Sequence, residues 1–106
     1  MAIRRAKPER AAQYEDKYFQ ELAARLAVVV RRLRLERGWS QEEAAHQTGM
    51  GTRLFQAIEG ARTNVTLTTL ARLSRGFDVD APLLFGSADD ASDFERRERG
   101  RPARTE

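Results

Sequence analysis

Apolar side chains recur along this chain at the spacing of a helix, and nowhere do they alternate in the two-residue rhythm of a strand. From Glu9 to Arg37 there is neither Pro nor Gly, and Phe19, Leu22, Leu26, Val29 and Leu33 step by 3, 4, 3 and 4. Those residues share one stripe of a helix, widened by Tyr14, Tyr18 and Val30. Gly38 ends the run, so the pattern predicts a long amphipathic first helix over 9–37, in one piece or divided in two.

Shorter helices follow. Ser40 can cap the free amides of a second helix, with Glu43 three residues on to complete a capping box, and Gly49 ends it. A third helix runs from Thr52 to Glu59 with Phe55 and Ile58 inward, and Gly60 ends it. After a loop at 61–65, Thr66 caps a fourth helix that turns Leu67, Leu70, Ala71 and Leu73 inward and stops at Gly76. Asp80 caps a last turn or two, Ala81–Phe85, with Pro82 tolerated in the first turn. Residues 1–8 read as a flexible basic lead and 9–86 as the folded domain. Residues 87–106 read as a polar tail, with Phe94 as its one aromatic side chain, expected to be disordered. The fold class is all-α: a compact five-helix domain with an extended N-terminal helix.

Composition narrows the function. The chain has 106 residues, 41% of them hydrophobic, enough for one small core. It carries a net charge of +3, but residues 40–86 hold four basic and five acidic side chains, so the excess lies upstream, with ten basic and five acidic in 1–39. The balance permits nucleic-acid binding without establishing it. There is no cysteine, hence no disulfide scaffold or thiolate metal site, and the apolar run Leu26–Val30 is far too short to span a membrane. No paired acid and base, nucleophile motif, metal cluster or phosphate-cradling Gly loop points to an enzyme, a cofactor or a metal; His46 stands alone.

Residues 40–59 carry the candidate chemistry. Two helices crossing steeply through a tight turn need a small residue at the crossing, a residue tolerant of positive φ, and apolar fasteners. Ala45, Gly49 and the trio Met50, Phe55 and Ile58 meet those needs in order. With Phe55 and Ile58 inward, Arg53 and Ala57 fall opposite the core and Gln56 beside them, where a recognition helix reads base edges. Arg can pair with guanine, Gln with adenine, and a methyl group can meet thymine.

On these residues Leu33–Phe85 resembles the Cro/C1 (phage-repressor, or XRE) helix-turn-helix family. The matching positions are Leu33-Arg34, Glu36 to Ala45, Thr48-Gly49-Met50, Ile58-Glu59, Arg62, and Leu67 to Leu73. The resemblance implies that Gln41 touches a phosphate and braces the recognition helix, and that Thr52, Arg53 and Ala57 face bases. It further implies that Arg62, Thr63 and Asn64 meet the DNA backbone, and that Arg34 and Glu59 form an ion pair joining the first and third helices. Three departures stand out. Ala61 occupies a frequent Gly position, so the turn is expected to shift to Gly60; Val65 replaces a frequent Pro; and Gly51 replaces a capping Ser or Thr, leaving Thr52 as a candidate cap.

The function expected is a sequence-specific DNA-binding regulator, a repressor or autoregulator, acting in the cytoplasm at the nucleoid as a homodimer on a palindromic operator. Its partner is double-stranded DNA, and a restriction–modification controller is one compact form. An antitoxin using 87–106 to hold a protein partner is an alternative, as is an interaction module that has lost DNA binding. Tyr18, Phe19, Leu83, Leu84 and Phe85 are the candidate dimer contacts, although the Tyr14–Leu22 stripe can equally pack on its own domain. Arg31, Arg32 and Arg37 are expected on a wet helix face from which one or two approach phosphates.

Overall fold

The structure, a computed structural model, describes residue 12 and residues 14–100. Among these, α1 spans Lys17–Glu36, α2 Gln41–Gln47, α3 Thr52–Glu59, α4 Leu67–Phe77 and α5 Ala88–Arg99, with a 3-10 turn at Ala81–Phe85 before the last. No described residue lies in a strand, and none of the described helices is long and apolar enough to cross a membrane. The basic lead at 1–8 and the end of the tail, 101–106, lie outside the described residues.

The first helix is divided. Ala12, Tyr14 and Glu15 are helical, but Asp16 is extended (φ −65°, ψ 124°), and its carboxylate accepts from the amides of Tyr18 and Phe19 at 2.7 and 3.1 Å. A carboxylate at this point satisfies two orphan amides and lies at the positive end of the α1 dipole, which favours a fresh start at Lys17. Ser40 caps α2 as expected, accepting from Glu43 N at 3.0 Å. The reciprocal half of that box is not made, because the Glu43 carboxylate accepts instead from Gln47 Nε2 at 2.7 Å.

The core joins Leu26 and Val30 of α1, Ala44 and Ala45 of α2, Phe55 and Ile58 of α3, Leu73 and Phe77 of α4, and Leu84 of the 3-10 turn. Trp39 packs on its rim and stacks on Phe77 with ring centroids 5.7 Å apart. The Arg37 guanidinium lies 5.3 Å from the Phe77 ring and donates to the carbonyls of Leu33 and Phe77, so this residue covers the core edge rather than standing on a wet face.

Several expected positions are corrected. Leu67, expected inward, is 83% exposed: it begins α4 beyond the edge of the core, and the buried Thr69, hydrogen-bonded to the capping hydroxyl of Thr66, takes the inward place. Gly76 does not end α4, which closes at Asp78 in the left-handed region (φ +58°). Gly76 is needed for contact, since a Cβ there would lie 2.6 Å from Thr48 Cγ2 and 2.7 Å from the Gln47 carbonyl oxygen. The turn after α3 does not shift to Gly60 (φ −94°); Ala61 itself takes the left-handed conformation at φ +56°. Of the dimer candidates, Leu84 is fully buried and Phe85 packs on the core, so both serve the domain's own packing. Tyr18 and Leu83 are 61% and 64% exposed, and Phe19 is half-buried, edge-on to Tyr14 at 5.2 Å.

The largest correction concerns the tail. Residues 88–99, expected to be disordered, form α5, which packs along α1. Ser87 and Asp90 make a reciprocal capping box, with Ser87 N donating to Asp90 Oδ2 at 2.8 Å. The other oxygen of Asp90 accepts from Arg32 Nη2 of α1 at 2.7 Å, while Ala91 is buried beside it. One carboxylate thus both starts the helix and ties it down.

Two outcomes follow. Ala61→Gly should raise stability by about 0.5–1 kcal/mol in urea denaturation, because relief of the left-handed strain exceeds the added chain entropy. The hydrogen bond from Arg32, opposed by burial and helped by the Ser87 amide, holds the Asp90 carboxyl below its ordinary value of 3.8. Its stabilisation is therefore complete above that value and is lost as pH falls through the depressed one. Amide exchange in α5 should accelerate over that acid range, and Asp90→Asn should show the faster exchange already at neutral pH.

Candidate nucleic-acid interface

α2 and α3 meet through buried Ala44 and Ala45, whose small side chains let the helices cross closely. Thr48 closes α2 by donating its hydroxyl to the Ala44 carbonyl at 2.7 Å, and Gly49 makes the turn at φ +72°. Gly51 occupies the cap position of α3 without a side-chain bond, so Thr52 is the first helical residue and not the cap. This removes the second role expected for Thr52. Phe55, Ile58 and Glu59 then face inward, Arg53, Leu54 and Gln56 are exposed, and Thr52 and Ala57 are half-buried.

Glu59 organises the site from inside. Its carboxylate receives Arg34 Nε at 2.5 Å and Arg34 Nη2 at 3.1 Å, a two-pronged pair between the end of α3 and α1. The third nitrogen of Arg34 donates to the Trp39 carbonyl at 3.0 Å. A further donor to Glu59 is Gln41 Nε2 at 3.0 Å, and Gln41 Oε1 in turn accepts from Gln56 Nε2 at 3.1 Å. A chain of bonds therefore runs from a buried charge to the exposed face of α3. Fixing the Gln41 amide from behind fixes the direction in which Gln56 presents its own.

Arg62 folds over Gly60 and donates to the Gln56 carbonyl at 3.4 Å. A Cβ at Gly60 would stand 1.9 Å from Arg62 Nη1, so the glycine makes room for that guanidinium. The Thr63 hydroxyl donates to the Asn64 carbonyl at 3.4 Å, and the Asn64 side chain is exposed. Gln41, Gln56 and Arg62 are therefore brought together, with Arg53 exposed on the same helix. Thr63 and Asn64 follow on the adjoining loop without a bond into the network.

Between α1, the α2–α3 pair and α5 lies an open polar groove of about 740 Å³. Gln41 and Gln56 line it with Arg31, Arg62 and Arg97. Arg97 Nη2 donates to the Glu59 carbonyl at 3.2 Å. Arg97 was missed from sequence because its helix was missed. The signal available was the spacing Ser87-x-x-Asp90 ahead of Ala91, a capping-box pattern.

The model of the helix-turn-helix domain family matches residues 25–84, more than half of the chain, and the chain belongs to that family. The Neisseria hypothetical transcription factor of Neisseria meningitidis serogroup B is 37% identical over 62 residues, which are 58% of each chain, so the match spans under two thirds of that relative. The crystal structure of the hypothetical transcription factor NHTF from Neisseria is similar at a TM-score of 0.60 and 36% identity, over 63% of this chain and 75% of that one. The wild-type restriction-modification controller protein C.Esp1396I shares the fold at a TM-score of 0.55 and 23% identity, over 70% of this chain and 91% of its own.

Removing Arg34 leaves the Glu59 carboxylate buried without its counter-charge. Arg34→Ala should cost about 3–5 kcal/mol in denaturant unfolding, whereas an exposed arginine such as Arg53 should cost under about 0.5 kcal/mol when removed.

Proposed function

We propose that this helix-turn-helix protein is a sequence-specific DNA-binding transcriptional regulator, a repressor or autoregulator, that acts as a homodimer on a palindromic operator. The single observation that carries the reading is the bond chain from Glu59 through Gln41 to Gln56, which fixes two side-chain amides beside the exposed face of α3 that also carries Arg53. Preorganised polar groups at the start of a recognition helix are what direct readout of base edges requires. In this account Arg53, Gln56, Thr52 and Ala57 face the major groove, while Gln41, Arg62, Thr63 and Asn64 meet phosphates. Base contacts then set sequence choice, and phosphate contacts set register and salt dependence. Two copies would place their reading helices about 34 Å apart, one turn of the duplex.

The exposed Tyr18 and Leu83 remain the dimer contacts we favour, with Phe19 partly available beside them. A restriction–modification controller is the narrower form of this reading; the shared fold is compatible with it and does not by itself select it. The antitoxin alternative asks 87–106 to hold a partner, and the burial of Asp90 and Ala91 against the domain weighs against it. Near-neutral charge across 40–86 keeps the interaction-module reading as the contrasting outcome of the test.

Selection of bound sequences from a random DNA pool should return paired, inverted half-sites one helical turn apart. Arg53→Ala should weaken the preferred sequence by about 1–3 kcal/mol and relax one base position in each half-site. Recovery of no enriched sequence would set the DNA-reading assignment aside.

A further inference from the structure

The family match ends at residue 84, yet α5 begins at Ala88 and its later turns reach the end of the recognition helix. A helix leaves four carbonyls without intrahelical partners at its C-terminus. In α3 the following turn takes three of them. Gln56 O accepts from Gly60 N at 3.0 Å, Ala57 O from Arg62 N at 2.9 Å and Ile58 O from Ala61 N at 3.1 Å. The fourth, on Glu59, accepts from Arg97 Nη2 at 3.2 Å. The residue whose carboxylate orders the reader from behind is therefore held by its backbone as well, and by a helix outside the matched domain.

α5 is anchored along its length. At its entry Arg25 of α1 donates to the carbonyls of Phe85 and Gly86 at 2.6 and 3.2 Å, and a Cβ at Gly86 would run into the Asp90 carboxylate. In the first turn Arg32 binds Asp90 at 2.7 Å. Further along, the Arg97 guanidinium lies 4.9 Å from the Phe94 ring, which helps to aim its donors at α3. Asp90, Phe94 and Arg97 step by 4 and 3, so they share one stripe of the helix. Only Asp90 and Ala91 of α5 are buried, so its place depends on these ties more than on apolar packing. We propose that α5 is a clamp on the reader, in which Arg97 is a positioning residue that sets the angle of α3. That angle decides how Arg53 and Gln56 meet base edges. Asp90 acts at one remove, by fixing where along α1 the clamp sits. The inference rests on the DNA-binding reading and gives Arg97 no contact with DNA. The effect falls on discrimination, because hydrogen bonds to a base are directional and carry the sequence information that phosphate contacts lack.

The test uses the full chain, its selected duplex and a random-sequence duplex of equal length. Arg97→Met keeps the apolar stem and removes the donor, and should lower the ratio of selected to random affinity roughly tenfold. Asp90→Asn, whose bonds go to Arg32 and Ser87 and not to α3, should lower it in the same direction. Arg97→Lys, which can still donate to the carbonyl, should keep most of the ratio. Arg96→Met removes the same charge from the exposed side of α5 and should keep all of it. Amide exchange without DNA is the second readout. The Gly60, Ala61 and Arg62 amides should exchange faster in Arg97→Met and Asp90→Asn, while those of α2 and α4 keep their wild-type rates. A helix that only adds stability would instead raise exchange across the domain and leave the ratio unchanged in the folded protein. Failure of the wild type to select any sequence would remove the DNA reading, and exchange at 60–62 then decides whether α5 holds α3. An unchanged ratio in folded Arg97→Met and Asp90→Asn proteins, or unchanged exchange at 60–62 in both, overturns the proposal.

Discussion

A carboxylate taken out of water must find donors for its oxygens or lose its charge, and Glu59, with 6% of its side chain exposed, finds three. Two come from Arg34 on α1 and one from Gln41 on α2. Because Glu59 ends α3, these bonds tie together the three helices that form the helix-turn-helix and its support. An ion pair in such a place adds little net stability over a well-packed apolar pair. What it adds is direction. The bidentate geometry admits one mutual orientation of α1 and α3, and the remaining oxygen contact admits one orientation of the Gln41 amide. Gln56 inherits that orientation at the surface.

The helices around this pair are arranged to leave it undisturbed. Gly76 lets the α4 backbone approach the end of α2, and Gly60 clears the path of the Arg62 side chain. Ala61 takes a left-handed conformation that a residue with a Cβ adopts at some cost, and by doing so it returns the chain along α3 so that Arg62 N reaches the Ala57 carbonyl at 2.9 Å. The strain lies next to the candidate phosphate-facing loop. α5 closes the other side, where Arg97 satisfies the Glu59 carbonyl left open at the end of α3.

Much of this is legible in the sequence, where the signal is local. Ser40, Thr66 and Asp80 announce helix starts because a cap acts on amides within three residues, and all three act so. The stripe from Phe19 to Leu33 gives a helix, and the small–turn–apolar order at 45–58 gives the crossing. The resemblance implied the Arg34–Glu59 pair, and the geometry contains it. Features that depend on a distant partner were not legible. α5 is poor in apolar residues, and its anchor joins Asp90 to an arginine 58 positions earlier. Burial of Leu84 and exposure of Leu67 depend on where the core ends, which periodicity alone does not say. The left-handed turn falls on Ala61, one residue after Gly60, although glycine is the usual occupant of such a conformation.

The central claim is that a buried charge, acting through Gln41, presents Gln56 and its neighbours as one DNA-facing edge. The most direct measurement follows the backbone and side-chain amide resonances of the labelled protein as a duplex carrying its selected sequence is added. The account predicts that the largest changes fall together on Gln41, the 52–57 segment and the 62–64 loop, with the Gln41 and Gln56 side-chain amides moving at the same DNA concentrations. Changes confined to the outer face of α1 or to the 3-10 turn, with those two amides unmoved at saturation, would contradict it.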